Sequence, residues 1–151
     1  MWYSPKNFFD VEALNGTAAQ SLLEVTKVWD ILDELEPFIR RTIKGNVAEL
    51  RRGGDMTTVA WGFLGGRAYR GVTYELGDPL KGKLKVYHDG SPLAGAALVM
   101  PGVVLCSDDI EIGEGALVES GAMIKGPAII GPRSEVRQGA YVRGAVMSCP
   151  G

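Results

Sequence analysis

Ile112, Val118, Ile124, Ile130, Val136 and Val142 recur at an unbroken spacing of six, and the residues four places after them are Ala116, Ala122, Ala128, Ser134, Ala140 and Val146. An amphipathic helix needs apolar positions three and four apart, and a half-buried strand needs them two apart, so neither element carries this period. A step of six suits a prism with three faces. Each unit supplies one short strand and one tight turn, the aliphatic side chain points inward, and the small residue sits where the wall bends. Glycine and proline fall at the turning points, among them Gly113, Gly121, Gly126, Pro127, Gly131, Pro132, Gly139 and Gly144. Residues 112–147 therefore read as six hexapeptides, or two complete coils of a parallel β-helix.

Carrying the same step backwards places Met100 and Cys106 inward and Val104 and Ile110 in the wall, with the β-helix starting near Leu98. Carried forwards, the next inward position is Ser148, and the repeat is expected to stop at Gly151 without a cap. An open solenoid end exposes core and unpaired strand groups, so either the β-helix is truncated at its C-terminus or another copy covers it.

The first 45 residues are of another kind. Val25, Val28, Leu32, Leu35 and Ile39 alternate three and four apart, the seam of a helix, with Trp29 and Ile31 widening its apolar face. Thr17 with Gln20, or Ser21 with Glu24, offers a capping box for its start. Pro37 predicts a break or kink at Glu36, followed by a last short turn over residues 38–43. This helix is expected to pack on its own β-helix.

Three regions follow: a helical arm at 1–45, an irregular glycine-rich insert at 46–97, and the hexapeptide β-helix at 98–151. In the insert, Gly53, Gly54, Gly65, Gly66 and Gly71 match neither a phosphate loop nor a dinucleotide fingerprint. Residues 67–75 and 83–88 alternate enough to be short strands, with Asp89-Gly90 as a turn signal.

A formal charge of −2 with no run of like charges argues against a nucleic-acid partner. The opening Met1-Trp2-Tyr3-Ser4-Pro5 has neither the basic region nor the apolar run of a signal peptide, and no stretch reaches membrane-spanning length, so a cytoplasmic protein with no membrane partner is expected. Cys106 and Cys149 lack metal-ligand spacing, and a buried thiol and an end-of-chain thiol are expected rather than a disulfide. No metal site is expected.

The run from Ile130 to Gly144, with Val136-Arg137-Gln138-Gly139-Ala140 inside it and Gly121-Ala122-Met123-Ile124-Lys125-Gly126-Pro127-Ala128 before it, resembles the left-handed β-helix domain of hexapeptide acyltransferases. More narrowly it is similar to the acetyltransferase domain of bacterial UDP-N-acetylglucosamine pyrophosphorylase and glucosamine-1-phosphate acetyltransferase, and to short sugar-phosphate transferase-like relatives. In those short relatives a helix opening with Phe-Phe-Asp and carrying a tryptophan precedes the β-helix, as Phe8-Phe9-Asp10 and Trp29 do here. The resemblance implies a mainly β protein, a left-handed parallel β-helix with an N-terminal α-helical arm, assembled as a homotrimer. It implies acetyl-CoA as co-substrate, bound between neighbouring prisms, and an amino sugar 1-phosphate as the small-molecule partner. Arg137 matches the arginine that contacts the sugar phosphate, which suits a guanidinium because its planar fork binds phosphate oxygens in pairs. Arg143 and Lys125 are candidates for extending a basic strip along one outer edge.

The family's base is a histidine in a later coil, and this sequence has no matching stretch. His88 is the only histidine and precedes the repeat. Two functions from different classes follow: acetyl transfer to an amino sugar 1-phosphate in sugar-nucleotide biosynthesis, or a non-catalytic β-helix that assembles or positions a partner, either as an oligomerisation module or as an inactive fragment of a sugar nucleotidyltransferase.

Overall fold

The computed structural model describes residues 1–148. Cys149 and the expected end of the repeat at Gly151 lie outside the described residues. The chain divides into two compact units, residues 1–42 and the residues from Ile43 onward.

The first unit has 3-10 turns at Pro5–Asn7 and Ala18–Glu24 and one α-helix, α1, at Asp30–Thr42. The expected start at Thr17 or Ser21 is not the start of α1. Thr17 donates its hydroxyl to Leu14 O (2.7 Å), Gln20 Oε1 accepts the Gly16 N–H (3.0 Å), and Ser21 Oγ reaches back to Ala18 O (3.3 Å), so neither pair forms a capping box. The helix begins where the Asp30 carboxylate accepts the Lys27 N–H at 3.2 Å. Asp30 and Asp33 in the first turn and Arg40 and Arg41 in the last complement the helix dipole.

The buried stripe of α1 is also displaced from the expected seam. Phe38 and Ile39 are buried and Ile31 and Leu35 half-buried, whereas Leu32 is 73 % exposed. Pro37 lies inside α1 without ending it. Burial of Phe38 and Ile39 just after Pro37, and the pairing of Arg40 with Glu36 at 2.7 Å across it, hold the last turn. Phe8-Phe9-Asp10 is not helical; Asp10 Oδ1 instead accepts the N–H groups of Glu12 and Ala13 in a turn. Trp29, just before α1, lies against Tyr3 and Trp2 with ring centroids 5.6 and 6.4 Å apart.

The second unit carries fourteen strands among the described residues. Nine of them form the coils: β6 (Ala97–Val99), β7 (Val104–Leu105), β8 (Ile110–Ile112), β9 (Leu117–Val118), β10 (Met123–Lys125), β11 (Ala128–Ile130), β12 (Glu135–Val136), β13 (Tyr141–Arg143) and β14 (Val146–Met147). Every third strand stacks in parallel: β6, β9 and β12 on one face, β7, β10 and β13 on the second, β8, β11 and β14 on the third. The three-faced parallel coil read from the period of six is the observed architecture.

Its interior follows the repeat with one slip. Stacked residues are 18 apart from Ile110 and Ala128 onward, but 19 apart between Leu98 and Leu117 and between Leu105 and Ile124. One additional residue is therefore accommodated in the corner at 106–109. There Ser107 Oγ accepts the Gly126 N–H and Asp109 O accepts the Ala128 N–H, both at 3.0 Å, which ties the longer corner to the coil beside it. The inward residues before the slip are Val99 and Leu105, with Ala97 and Val103 in the wall; all four are fully buried in the core. Met100 and Cys106, expected inward, lie outside the prism core, and Cys106 is half-buried rather than buried. Each fully buried aliphatic side chain contributes about 1.5–3 kcal/mol relative to exposure, so the slip, which keeps larger aliphatics inside, outweighs strict periodicity.

The segment expected to be irregular apart from short strands at 67–75 and 83–88 holds five strands: β1 (Trp61–Leu64), then β2 (Arg67–Arg70), β3 (Thr73–Glu75) and β4 (Lys85–His88) in the two expected stretches, and β5 (Ser91–Pro92). Its first part closes the prism. Asn46 exchanges hydrogen bonds with Ile112, at 2.9 Å in each direction, on the third face. Thr57 donates N–H to Val103 O, and the Leu105 N–H donates to Asp55 O, both at 2.8 Å, on the second face. On the first face β1 pairs antiparallel with β6. The chain thus visits the three faces in the reverse order to the coils and saturates the first edge of all three sheets, while Val47 and Leu50 fill the open end of the core. Arg51 fastens this cap: its Nε donates to Leu105 O at 2.8 Å, and its other nitrogens pair with Asp55 and Asp108.

The second part covers the outer side of the first face. β3, β4 and β5 form an antiparallel meander whose Val72 and Val86 pack with Leu98 and Leu117, the outward residues of β6 and β9. Asp89 and Gly90 both have positive φ (49° and 79°) in the two-residue loop joining β4 and β5, as the turn signal predicts.

Candidate functional site

The second face has no covering meander, and its alternation puts Ile124 and Val142 inside and Met123, Lys125, Tyr141 and Arg143 outside. Parallel register then sets Met123 beside Tyr141 and Lys125 beside Arg143. Met123 and Tyr141 are 39 % and 57 % exposed. Lys125 and Arg143 are exposed and make no ion pair among the described residues. Like charges on adjacent strands repel by a few tenths of a kcal/mol up to about 1 kcal/mol, a cost that an anion bridging them would remove.

Arg137 stands elsewhere. It follows the inward Val136 at the corner between the first and second faces, next to Glu119 of the preceding coil, whose carboxylate accepts the Gln138 N–H at 2.9 Å. Its guanidinium pairs with Glu135 at 3.1 Å, which holds it protonated beyond even its ordinary range, with Glu119 adding to the effect. The side chain is otherwise open to solvent, so the pair with Glu135 is an exchangeable partner rather than a fixed one. The expected basic strip is accordingly split: Lys125 and Arg143 share one register position, and Arg137 occupies a different edge.

His88 is part of β4. Its Nδ1 lies 3.5 Å from the Asp89 carboxylate and its ring packs edge-on to Tyr69, with centroids 5.3 Å apart. It belongs to the covering meander, not to the coil.

Sequence reading missed two clefts that meet at Glu114 and Pro132, on the corner between the third and first faces. One, of about 380 Å³, runs from Asn46 past Glu111 to the Gly65-Gly66 tip of the β1–β2 hairpin. The other, of about 330 Å³, lies between Gly95 and Arg133 and the loop at 79–84. The Glu114 carboxylate accepts the Gly65 N–H (3.1 Å), and Glu111 accepts the Lys44 N–H (2.6 Å). Gly113 is required here, since a Cβ on it would sit 2.6 Å from Pro132 N and 2.7 Å from Gly131 C. The larger cleft offers carboxylates and a carboxamide, a lining that favours hydroxyl and ammonium groups over phosphates. The only sequence signal for it was the off-period pair Glu111 and Glu114 flanking Gly113, which is indistinguishable from a solvated corner.

Among the described residues, no group of three His, Cys, Asp or Glu side chains is placed to hold a metal ion, and no helix is long and apolar enough to cross a membrane.

Residues 112–142 place one inward aliphatic every six residues on a three-faced parallel coil, the architecture a hexapeptide repeat calls for. Residues 109–144 match the family described as bacterial transferase hexapeptide (six repeats), which supports the hexapeptide acyltransferase resemblance over about a quarter of the chain without singling out a relative. No curated protein and no solved structure shows significant similarity to the chain.

Proposed function

We propose that this protein is a hexapeptide-repeat acyltransferase that moves an acetyl group from acetyl-CoA to the amine of an amino sugar 1-phosphate, in sugar-nucleotide biosynthesis. The observation that carries the reading is the transferase hexapeptide match lying on the three-sheet coil. The Lys125 and Arg143 pair on the open face supports it, because both substrates are phosphate esters. The left-handed winding, the homotrimer and the placing of acetyl-CoA between neighbouring prisms complete the proposal by resemblance. In the reaction the amine nitrogen attacks the thioester carbonyl, the C–N bond forms, the C–S bond breaks, and the amine proton passes to a base while the thiolate is protonated.

In this reading Arg137 exchanges Glu135 for the sugar phosphate. Arg137→Ala should weaken glucosamine 1-phosphate binding about tenfold, the worth of one charge-assisted contact, with no change in the protein's mass in solution. Unchanged affinity by calorimetry would remove the assignment. Thiol release from acetyl-CoA on adding glucosamine 1-phosphate tests the activity itself.

A second reading, a non-catalytic β-helix that assembles with copies of itself, is favoured by Met56, Met123 and Tyr141 standing exposed around the second face. Light scattering coupled to size exclusion addresses it. A discrete species of about 49 kDa, three copies of 16.2 kDa, without thiol release would favour assembly alone.

A further inference from the structure

The cap contains a second cationic feature that owes nothing to the hexapeptides. Arg51 is fully engaged with Leu105 O, Asp55 and Asp108, and Arg67 lies over the Tyr69 ring. Arg52 and Arg70 differ: among the described residues neither side chain makes an ion pair or ring contact. Arg52 comes from the 3-10 turn Leu50–Gly53, and Arg70 ends β2 directly opposite Trp61. Both line one cleft of about 250 Å³, together with Glu49, Thr58 and an apolar floor that includes Leu50 and Trp61.

Two guanidiniums and one carboxylate leave the cleft with a net positive charge of one. Guanidinium forks match phosphate oxygens bidentately, the Thr58 hydroxyl supplies a further donor, and the apolar floor adds area for a hydrophobic body. The volume lies just below the range of drug-sized pockets, which limits the occupant to a phosphoryl group and about one ring.

We propose that this cleft binds a phosphate monoester carried on a small apolar ring. It shares no residue with the Lys125 and Arg143 pair or with Arg137, and it does not depend on the acyltransferase reading.

Calorimetry of the full chain with phenyl phosphate tests the site, at low salt and about pH 8, above the second phosphate pKa of about 6. Phenyl phosphate should bind at one site and more tightly than inorganic phosphate, which lacks the ring. Arg52→Gln and Arg70→Gln should each weaken it about tenfold, Glu49→Gln should tighten it, and Lys85→Gln, at an exposed position of β4, should leave it unchanged. Absence of phenyl phosphate binding, unchanged affinity in both arginine variants, or loss of binding in Lys85→Gln would overturn the proposal. Circular dichroism reports whether the variants fold. Should either arginine variant unfold, Glu49→Gln decides alone: tighter binding supports the site, and equal or weaker binding overturns it.

Discussion

Gly113 and Thr57 show how single positions hold the coils in step. A methyl group at residue 113 would meet backbone atoms of the neighbouring coil, which cannot move aside without opening the stack. Gly113→Ala should therefore cost about 1–3 kcal/mol, the range for overpacking a close-packed site, read as a lowered midpoint in urea. Thr57 is the one buried polar side chain among the described residues, at 4 % exposure. Its hydroxyl donates to Met100 O (2.8 Å) and accepts the Val103 N–H (3.0 Å), so Thr57→Val removes the partner of one buried N–H and one part-buried carbonyl. We expect a loss of about 1–3 kcal/mol by denaturant titration, and a neutral result would mean that the cap contributes little at this point. Residues of this kind were illegible beforehand. Nothing in the sequence separates Thr57 from Thr58, and Leu105 could not be preferred to Cys106 while the six-residue step was assumed to run unbroken.

Elements differ in how far their signals survived packing. The coil strands were legible because an inward aliphatic and a small wall residue are both demanded at every turn of the prism. α1 was legible as a helix but not in its limits: the spacing of Val25 and Val28 continues the seam, whereas the chain extends at Val25 after a 3-10 turn. The meander was only half legible, since β3 is three residues long and its role is to cover Leu98 and Leu117.

The meander also carries the clearest pH dependence. Glu75 accepts hydrogen bonds from the Tyr87 hydroxyl (2.9 Å) and Lys85 Nζ (3.2 Å), and these partners, Tyr87 foremost, hold its carboxyl below the usual glutamate value. A lowered folded value means stabilisation that is present above the ordinary glutamate range and lost as pH falls through the lowered one. Tyr87 is shifted upward, chiefly by donating to Glu75, so its contribution is present below the ordinary tyrosine range and lost as pH rises through the raised value. Amide protection factors at Val86 should consequently peak between these limits, and Glu75→Gln should remove the acid-side fall. A Val86 protection factor flat across the acid range in the unmodified protein would disprove the link.

At the scale of the whole molecule, the second unit behaves as a stack in which each coil is stabilised by its neighbours, with the reversed segment serving as a fourth layer on one side. Hydrogen exchange should follow that order. The amides of Val118 and Ile124, with layers on both sides, should outlast those of Val136 and Val142, and the cap should protect Val99 and Leu105 nearly as well as the middle coil is protected. Equal exchange in all three coils would indicate a single cooperative unit instead. The winding was evident in the sequence because a period states itself many times. The cap was not, because each of its contacts occurs once and between residues far apart, as Asn46 with Ile112 and Arg51 with Asp108 show. That cap gives the molecule a direction. A parallel stack with two bare edges is a template that copies itself at either end, but here one edge is already occupied by a strand running the wrong way to be extended. Growth from such a particle is terminated on the capped side at birth, so no coil can be added beyond Asn46, Thr57 and β1, and fibre formation by end-to-end addition is barred from that side.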